Sequence, residues 1–246
     1  PHRTPMLTKT RAIVLRSLKY GDKKLFVDMF THEYGMLTFS SPVSSRGKAR
    51  GKTNCFQPLN IVEVEFDAKP KAEIHTVRDV RIAYPARSIP FDAHKIAISM
   101  FLAEFLVYAL AKEQNNRQLS SYVANSIVWL DSANRQFANF HLVFMMDLSH
   151  FIGFHPDMDG YSPGTWFDML NGEFSPLIPR HKDVVAPADA SVIPVIDRLN
   201  YATMHLLKLS REQRNQCAES MLKYYRLHLP SFPELKSFAV MRELFA

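Results

Sequence analysis

The stretch Met36-Leu37-Thr38-Phe39-Ser40-Ser41-Pro42-Val43 runs directly into Ser44-Ser45-Arg46-Gly47-Lys48-Ala49-Arg50-Gly51-Lys52. The first half reads as a β-strand. In the second half Arg46, Lys48, Arg50 and Lys52 stand at every second position between small residues, and no acid occurs between Glu33 and Glu63. Another strand-like run follows from Leu59 to Phe66. The pattern predicts a basic loop between two strands of a small β-domain, suited to lie along a phosphate backbone.

Upstream, Ala12-Ile13-Val14-Leu15 gives the β-branched centre of a strand over 9–18, with Tyr20-Gly21-Asp22 as its turn. Leu25, Val27 and Met29 mark one side of a strand over 24–30 and Phe26 the other. His32-Glu33-Tyr34-Gly35 makes the next turn, Gly35 being able to take positive φ. Downstream, Ile61, Val62, Val64 and Phe66 form a fourth strand, and the run from Glu73 to Tyr84 forms a fifth. Five strands within residues 6–84, joined mostly by hairpin-length links, predict an OB-like β-barrel.

Charge follows the same division. The chain carries a net +6, yet residues 1–81 hold 15 basic and 8 acidic residues whereas residues 82–246 hold 15 and 16. Such asymmetry points to a polyanion-binding module on a nearly neutral body. Arg46, Lys48, Arg50 and Lys52 are the candidate phosphate contacts, extended by Lys9, Arg11, Arg16, Lys19, Lys23 and Lys24. Phe39 and Phe56 flank the basic stretch. They either stack on exposed bases or belong to the barrel core.

From residue 85 to 246 the expectation is a mainly α-helical domain, making the whole an α+β chain. Ile96, Met100, Phe101, Phe105, Tyr108 and Ala109 recur at helical spacing and are expected to face inward on a helix over 91–113. A second helix is expected over 119–130. A third, over 137–152, is apolar on most sides and stops at Gly153, a suitable C′ residue. Residues 157–187 form an excursion rich in Gly and Pro, where Asn171-Gly172 predicts a short hairpin. One helix is expected over 195–209, and Ser210-Arg211-Glu212-Gln213 has the spacing of a capping box opening another to about residue 229.

Signatures of catalysis are missing. The sequence contains no phosphate-binding P-loop, no dinucleotide fingerprint, no nucleophile elbow and no H-E-x-x-H. His150, His155, Asp157 and Asp159 cluster around one turn and read as polar residues at a helix end rather than metal ligands. Cys55 and Cys217 are far apart, which supports neither a disulfide framework nor a cysteine-ligated metal. No apolar run reaches the ~20 residues of a membrane helix. With Met6 read as an initiator and no apolar signal core, a cytoplasmic protein without cofactor or metal is expected.

Taken together these segments resemble the RecO family of bacterial recombination mediators. The resemblance rests on Ala12-Ile13-Val14-Leu15 with Tyr20-Gly21-Asp22, on Phe30-Thr31-His32-Glu33-Tyr34-Gly35, and on the basic loop followed by Phe56-Gln57-Pro58-Leu59 and Val62-Glu63-Val64-Glu65. Near the C-terminus it rests on Tyr224-Tyr225-Arg226-Leu227-His228-Leu229 and Leu235-Lys236-Ser237. It implies an N-terminal OB-fold before a helical domain, binding of single- and double-stranded DNA, and annealing of complementary strands. It further implies work beside the nucleoid with RecR and single-stranded DNA-binding protein (SSB), loading the RecA recombinase indirectly.

Two positions depart from the family pattern. Many members carry a four-cysteine zinc element after the third helix, but 157–187 has no cysteine, leaving Trp166, Phe167 and Phe174 to stabilise it by packing. Members also place an arginine before the aromatic residue corresponding to Phe144, where the SSB tail is received; here Leu142 and Val143 precede Phe144. Arg135 or His141 are the substitutes to consider, against a plain solvent-facing role for each. The alternative function is a protein-interaction adaptor whose charge is incidental.

Overall fold

The structure, a computed structural model, describes residues 6–43, 52–68 and 72–244. Strands β1 (Met6–Tyr20), β2 (Lys24–Thr31), β3 (Gly35–Pro42), β4 (Ile61–Ala68) and β5 (Ile74–Tyr84) close into a barrel in the order β1-β2-β3-β5-β4. Among the described residues, only β3 and β5 pair in parallel. β1 is long because it serves two partners. Residues 6–13 pair with β4 and residues 12–20 with β2, with a register irregularity between Val14 and Arg16.

Alternation along the strands sends Val14, Val27, Met29, Phe39, Val62, Val64 and Phe66 into the barrel, each at most 1% exposed. Phe39 and Phe66 meet edge to face with centroids 5.2 Å apart. Gly35 takes φ +71, and a Cβ there would lie 2.6 Å from the Gln114 Cα, so close backbone approach requires glycine. The Met36 N–H uses that approach to donate to the Glu113 carbonyl at 3.2 Å.

The chain forms two compact units, Pro1–Ser132 and Ala133–Ala246. In the first, the barrel is joined by α1 (Ala93–Ala109) and α2 (Arg117–Ser132). Asp131, 4% exposed, organises the junction. Its carboxylate accepts from the backbone N–H of Arg87, Ser88 and Ile89 at 2.8–3.1 Å and from the Tyr84 hydroxyl at 2.9 Å. The Lys95 ammonium donates to the Ser88 hydroxyl at 2.6 Å and the Asp131 carbonyl at 3.1 Å. The end of β5 is thereby bound to α1 and α2.

α1 corrects the expected facing. Phe101, Phe105 and Ala109 are buried, but Ile96 and Met100 are 39% and 50% exposed, and Ile98, Leu102 and Leu106 take the inner positions. The run is apolar almost all round, so periodicity could not fix its rotation.

In the second unit, α3 (Phe140–Ile152) is buried along most of its length and ends where Gly153 adopts φ +86. β6 (Trp166–Asp168) and β7 (Glu173–Ser175) pair through Phe167 and Phe174, and β8 (Val184–Val185) adds to β6. Phe167, Met169, Phe174, Val185 and Tyr224 form one buried cluster, while Trp166 is only half-buried. Short α4 (Pro187–Ala190) and α5 (Ile193–Asp197) precede α6 (Arg211–His228) and α7 (Lys236–Leu244). Ser210 and Gln213 form a reciprocal capping box at the start of α6.

The single helix expected over 195–209 is not formed. α5 stops at Asp197, and only a 3-10 turn, Met204–Leu206, follows. The Asn200 side chain accepts from the Ala202 and Thr203 N–H groups at 2.9 and 3.1 Å, a local turn that competes with helical bonding.

Candidate nucleic-acid interface

β1 and β2 are antiparallel, with Leu18 opposite Phe26 and Tyr20 opposite Lys24. Because Leu25, Val27 and Met29 point into the barrel, Lys24 and Phe26 point out. Tyr20 is 71% exposed, and its ring contacts Phe26 with centroids 5.7 Å apart. Lys19, Lys23 and Lys24 cluster around the same turn. All three are exposed, and their side chains make no ion pair with a described residue. The Val43 N–H donates to the Lys23 carbonyl at 2.9 Å. The residue immediately before the basic stretch is therefore fixed beside this turn.

The stretch itself, Ser44–Gly51 with Arg46, Lys48 and Arg50, lies outside the described residues. Lys52, just after it, is described. Its ammonium lies 2.7 Å from the Asp79 carboxylate and donates to the Arg78 carbonyl at 3.1 Å. The hydrogen bond from Lys52 holds the Asp79 carboxyl below its ordinary range.

Other cations are engaged in the barrel wall. Arg16 reaches Asp28 through two nitrogens, at 2.6 and 2.8 Å. Lys9 pairs with Glu63 at 2.7 Å, Arg81 also pairs with Glu63, and Arg78 pairs with Asp67 at 2.5 Å. The hydrogen bond from Lys9 is the main cause of a lowered Glu63 pKa. Arg11 is exposed but stands eight residues before Lys19 on β1, roughly 26 Å along the strand, apart from the lysine cluster.

Phe39 and Phe56 are core residues, 0% and 2% exposed, and cannot present a face to a base as folded. Beside the lysine turn the exposed aromatic surface is Tyr20 with the half-buried Phe26; Tyr34 and Phe91 are exposed elsewhere in the first unit. The signal was available: Leu18 and Tyr20 alternate with Lys19 at the mouth of a Gly-Asp turn, a pattern that places an aromatic ring outside among lysines.

In the second unit, Arg135 is exposed but His141 is not. His141 is 1% exposed, and burial, reinforced by the Arg214 charge, lowers its pKa to about 3. It is neutral at physiological pH and cannot offer a surface cation; the solvent-facing alternative for it fails as well. Leu142 and Val143 are also buried, at 0% and 1% exposed. An arginine at either position would have to be accommodated inside the unit.

No helix among the described residues is long and apolar enough to cross a membrane. The family model described as "Recombination protein O N terminal" matches residues 6–86, and "Recombination protein O C terminal" matches residues 90–237. The chain is 45% identical over 241 residues to a DNA repair protein RecO of Phocaeicola vulgatus, covering 98% of this chain and 100% of the relative. A Bacteroides fragilis protein of the same name is 44% identical over 241 residues, with the same coverage. One from Porphyromonas gingivalis is 32% identical over 244 residues, covering 98% of this chain and 100% of the relative. The OB-like barrel, the helical body and these full-length relationships converge: the chain belongs to the RecO family of DNA repair proteins.

Proposed function

We propose that this protein is a non-enzymatic recombination mediator that binds and anneals DNA strands. The observation carrying the reading is the surface around the β1–β2 turn. Tyr20 and Lys24 share the outer face there, with exposed Lys19 and Lys23 in and beside the same turn, next to Val43, from which the four-cation stretch departs. Arg46, Lys48, Arg50 and Lys52 neutralise phosphates and release counterions, giving salt-sensitive binding with little sequence preference. Tyr20, supported by Phe26, gives a base a π-face to stack on. Arg11 adds long-range attraction from farther along β1, while Arg16 holds Asp28 and contributes less.

Annealing needs no bond to be made or broken by the protein. Cations reduce repulsion between two phosphate backbones, and stacking keeps bases unpaired until complementary strands meet. Membership of the family supports assigning RecR, SSB and, indirectly, RecA as partners in this reading, with action beside the nucleoid in the cytoplasm. For the SSB tail, Arg135 is the remaining surface cation of the two considered.

The deciding experiment is annealing of complementary oligonucleotides, bare and coated with SSB. Acceleration on both substrates supports mediation. Acceleration on bare strands alone would restrict the function to annealing, and none on either would favour an adaptor.

A further inference from the structure

β7 and β8 both pair with β6, and residues 176–183 join them. This loop opens with Pro176-Leu177-Ile178-Pro179 and continues with Arg180-His181-Lys182-Asp183. Leu177 is 76% exposed and Ile178 63%. Among the described residues they are the one pair of chain neighbours that are both large, apolar and exposed. Such a tip is costly in water and gains little from packing within its own unit.

The tip is nevertheless held in one shape. Pro176 and Pro179 fix φ on either side of it. The Ser175 hydroxyl donates to the Leu177 carbonyl at 2.8 Å and accepts from the Leu177 N–H at 3.2 Å. At the base of the loop the Met169 N–H donates to the Asp183 carbonyl at 3.0 Å. The Lys223 ammonium, on α6, lies 2.9 Å from the Asp183 carboxylate. The Asp183 N–H donates to His181 Nδ1 at 3.2 Å, so the ring hydrogen sits on Nε2, 3.1 Å from the Asp168 carboxylate. His181 is thus turned to β6. Arg180 and Lys182, on either side of it, are exposed and pair with no described residue. Asp183, the one acid of residues 176–183, is answered by Lys223, and exposed Glu173 stands at the opposite end of β7. The two outward cations of the loop are therefore not offset within it.

We propose that Leu177 and Ile178 form a wedge that enters the minor groove of duplex DNA and parts one base step, while Arg180 and Lys182 contact the flanking phosphates. Leu, Ile and Pro are among the side chains that architectural proteins insert in this way, unstacking a step and kinking the duplex. Rigidity matters here, because a tip that is already ordered loses little entropy on insertion. Single-stranded DNA suits the loop less well, since aliphatic side chains offer no π-face and there is no stacked step to part. A lipid bilayer suits it less well too. Even a whole acyl chain anchors a protein only marginally without a polybasic patch, and two cations fall short of one. The wedge rests on the proposed DNA binding, but it uses none of the cations of the first unit. It adds a duplex-specific contact to the general phosphate contacts of the basic stretch.

The test uses the full-length protein and a short G·C-rich duplex with a single TA step, the kind most easily unstacked. 2-Aminopurine replaces the adenine of that step, and dyes mark the two ends. Wild-type binding should raise the 2-aminopurine fluorescence and shorten the end-to-end distance. Leu177→Ser combined with Ile178→Ser changes only exposed side chains, so the melting temperature should hold. This variant should lose both signals and bind the duplex roughly tenfold more weakly, with single-strand affinity unchanged. Arg180→Ala combined with Lys182→Ala should make the duplex salt slope shallower by about 2, at ~0.9 per phosphate. Duplex bound without either signal, or both signals kept by the Leu177 and Ile178 variant, would overturn the wedge and leave the DNA-binding reading standing. Binding to phosphatidylglycerol vesicles that this variant loses, with duplex binding unchanged, would assign the loop to a membrane and overturn the wedge as well. Failure of the wild type to bind either form of DNA would overturn the DNA-binding reading and the wedge with it.

Discussion

The Lys52 ammonium sits 2.7 Å from the Asp79 carboxylate, so the far end of the basic stretch is fixed to β5 while Val43 fixes its start beside the β1–β2 turn. An acid at this point competes with phosphate for Lys52. Replacing Asp79 with Asn should raise DNA affinity at low salt about twofold, in keeping with the modest strength of exposed ion pairs. Asp79 has a depressed pKa in the folded state. The stabilising contact is present above the ordinary carboxylate range and is lost as pH falls through the depressed value. Fluorescence anisotropy on a labelled oligonucleotide reads the gain, which should vanish in high salt.

Tyr20 and Phe39 separate binding from folding. Tyr20→Ala removes an exposed ring and should leave the melting temperature nearly unchanged while weakening single-strand binding by ~1–3 kcal/mol per stacked base. Phe39→Ala empties part of the barrel core and should cost ~3–5 kcal/mol of stability. Thermal melts and binding isotherms on the two variants should give opposite patterns.

Asp131 should act as a structural acid switch. Burial pushes its carboxyl upward but is outweighed by amide hydrogen bonds from Arg87, Ile89 and Ser88 and by the Tyr84 hydroxyl, which bring the pKa down to about 2. A depressed carboxylate stabilises the fold above its unfolded pKa and loses that contribution as pH falls toward the folded value. The shift corresponds to ~2 kcal/mol. Denaturant melts of the wild type and Asp131→Asn should therefore differ at neutral pH and converge toward pH 2.

Gly35→Ala should destabilise the first unit strongly. The left-handed backbone and the approach of Gln114 act together, so a loss of ~2 kcal/mol or more is expected. Chemical denaturation checks it.

The barrel was legible because alternating apolar residues and glycine turns specify strands locally, as in 24–31 and at Gly35. The basic stretch was legible as charge, but not the pairing of Lys52 with Asp79, which depends on β5 lying alongside. Phe39 could not be assigned to core or surface until the register of β3 placed it opposite Val27. α1 gave no rotational phase because its polar face is nearly absent. The histidines at 150 and 155 were visible as a cluster, but their carboxylate partner was not. Asp197 is remote in sequence and is brought to them at the end of α5, 3.0 Å from His155 and 3.8 Å from His150. His141 reads as a cation in a sequence, and only its burial shows that it is neutral.

The central claim is that the basic stretch binds DNA by neutralising phosphates, and its most direct test is the salt dependence of single-strand binding. Wild-type protein and the variant with Arg46, Lys48, Arg50 and Lys52 all changed to Ala should be titrated across a range of salt concentrations. Each phosphate contact contributes ~0.7 to the slope of log affinity against log salt, so the variant's slope should be shallower by about 2 to 3. Its affinity at low salt should fall as well. An unchanged slope with unchanged affinity would contradict the assignment.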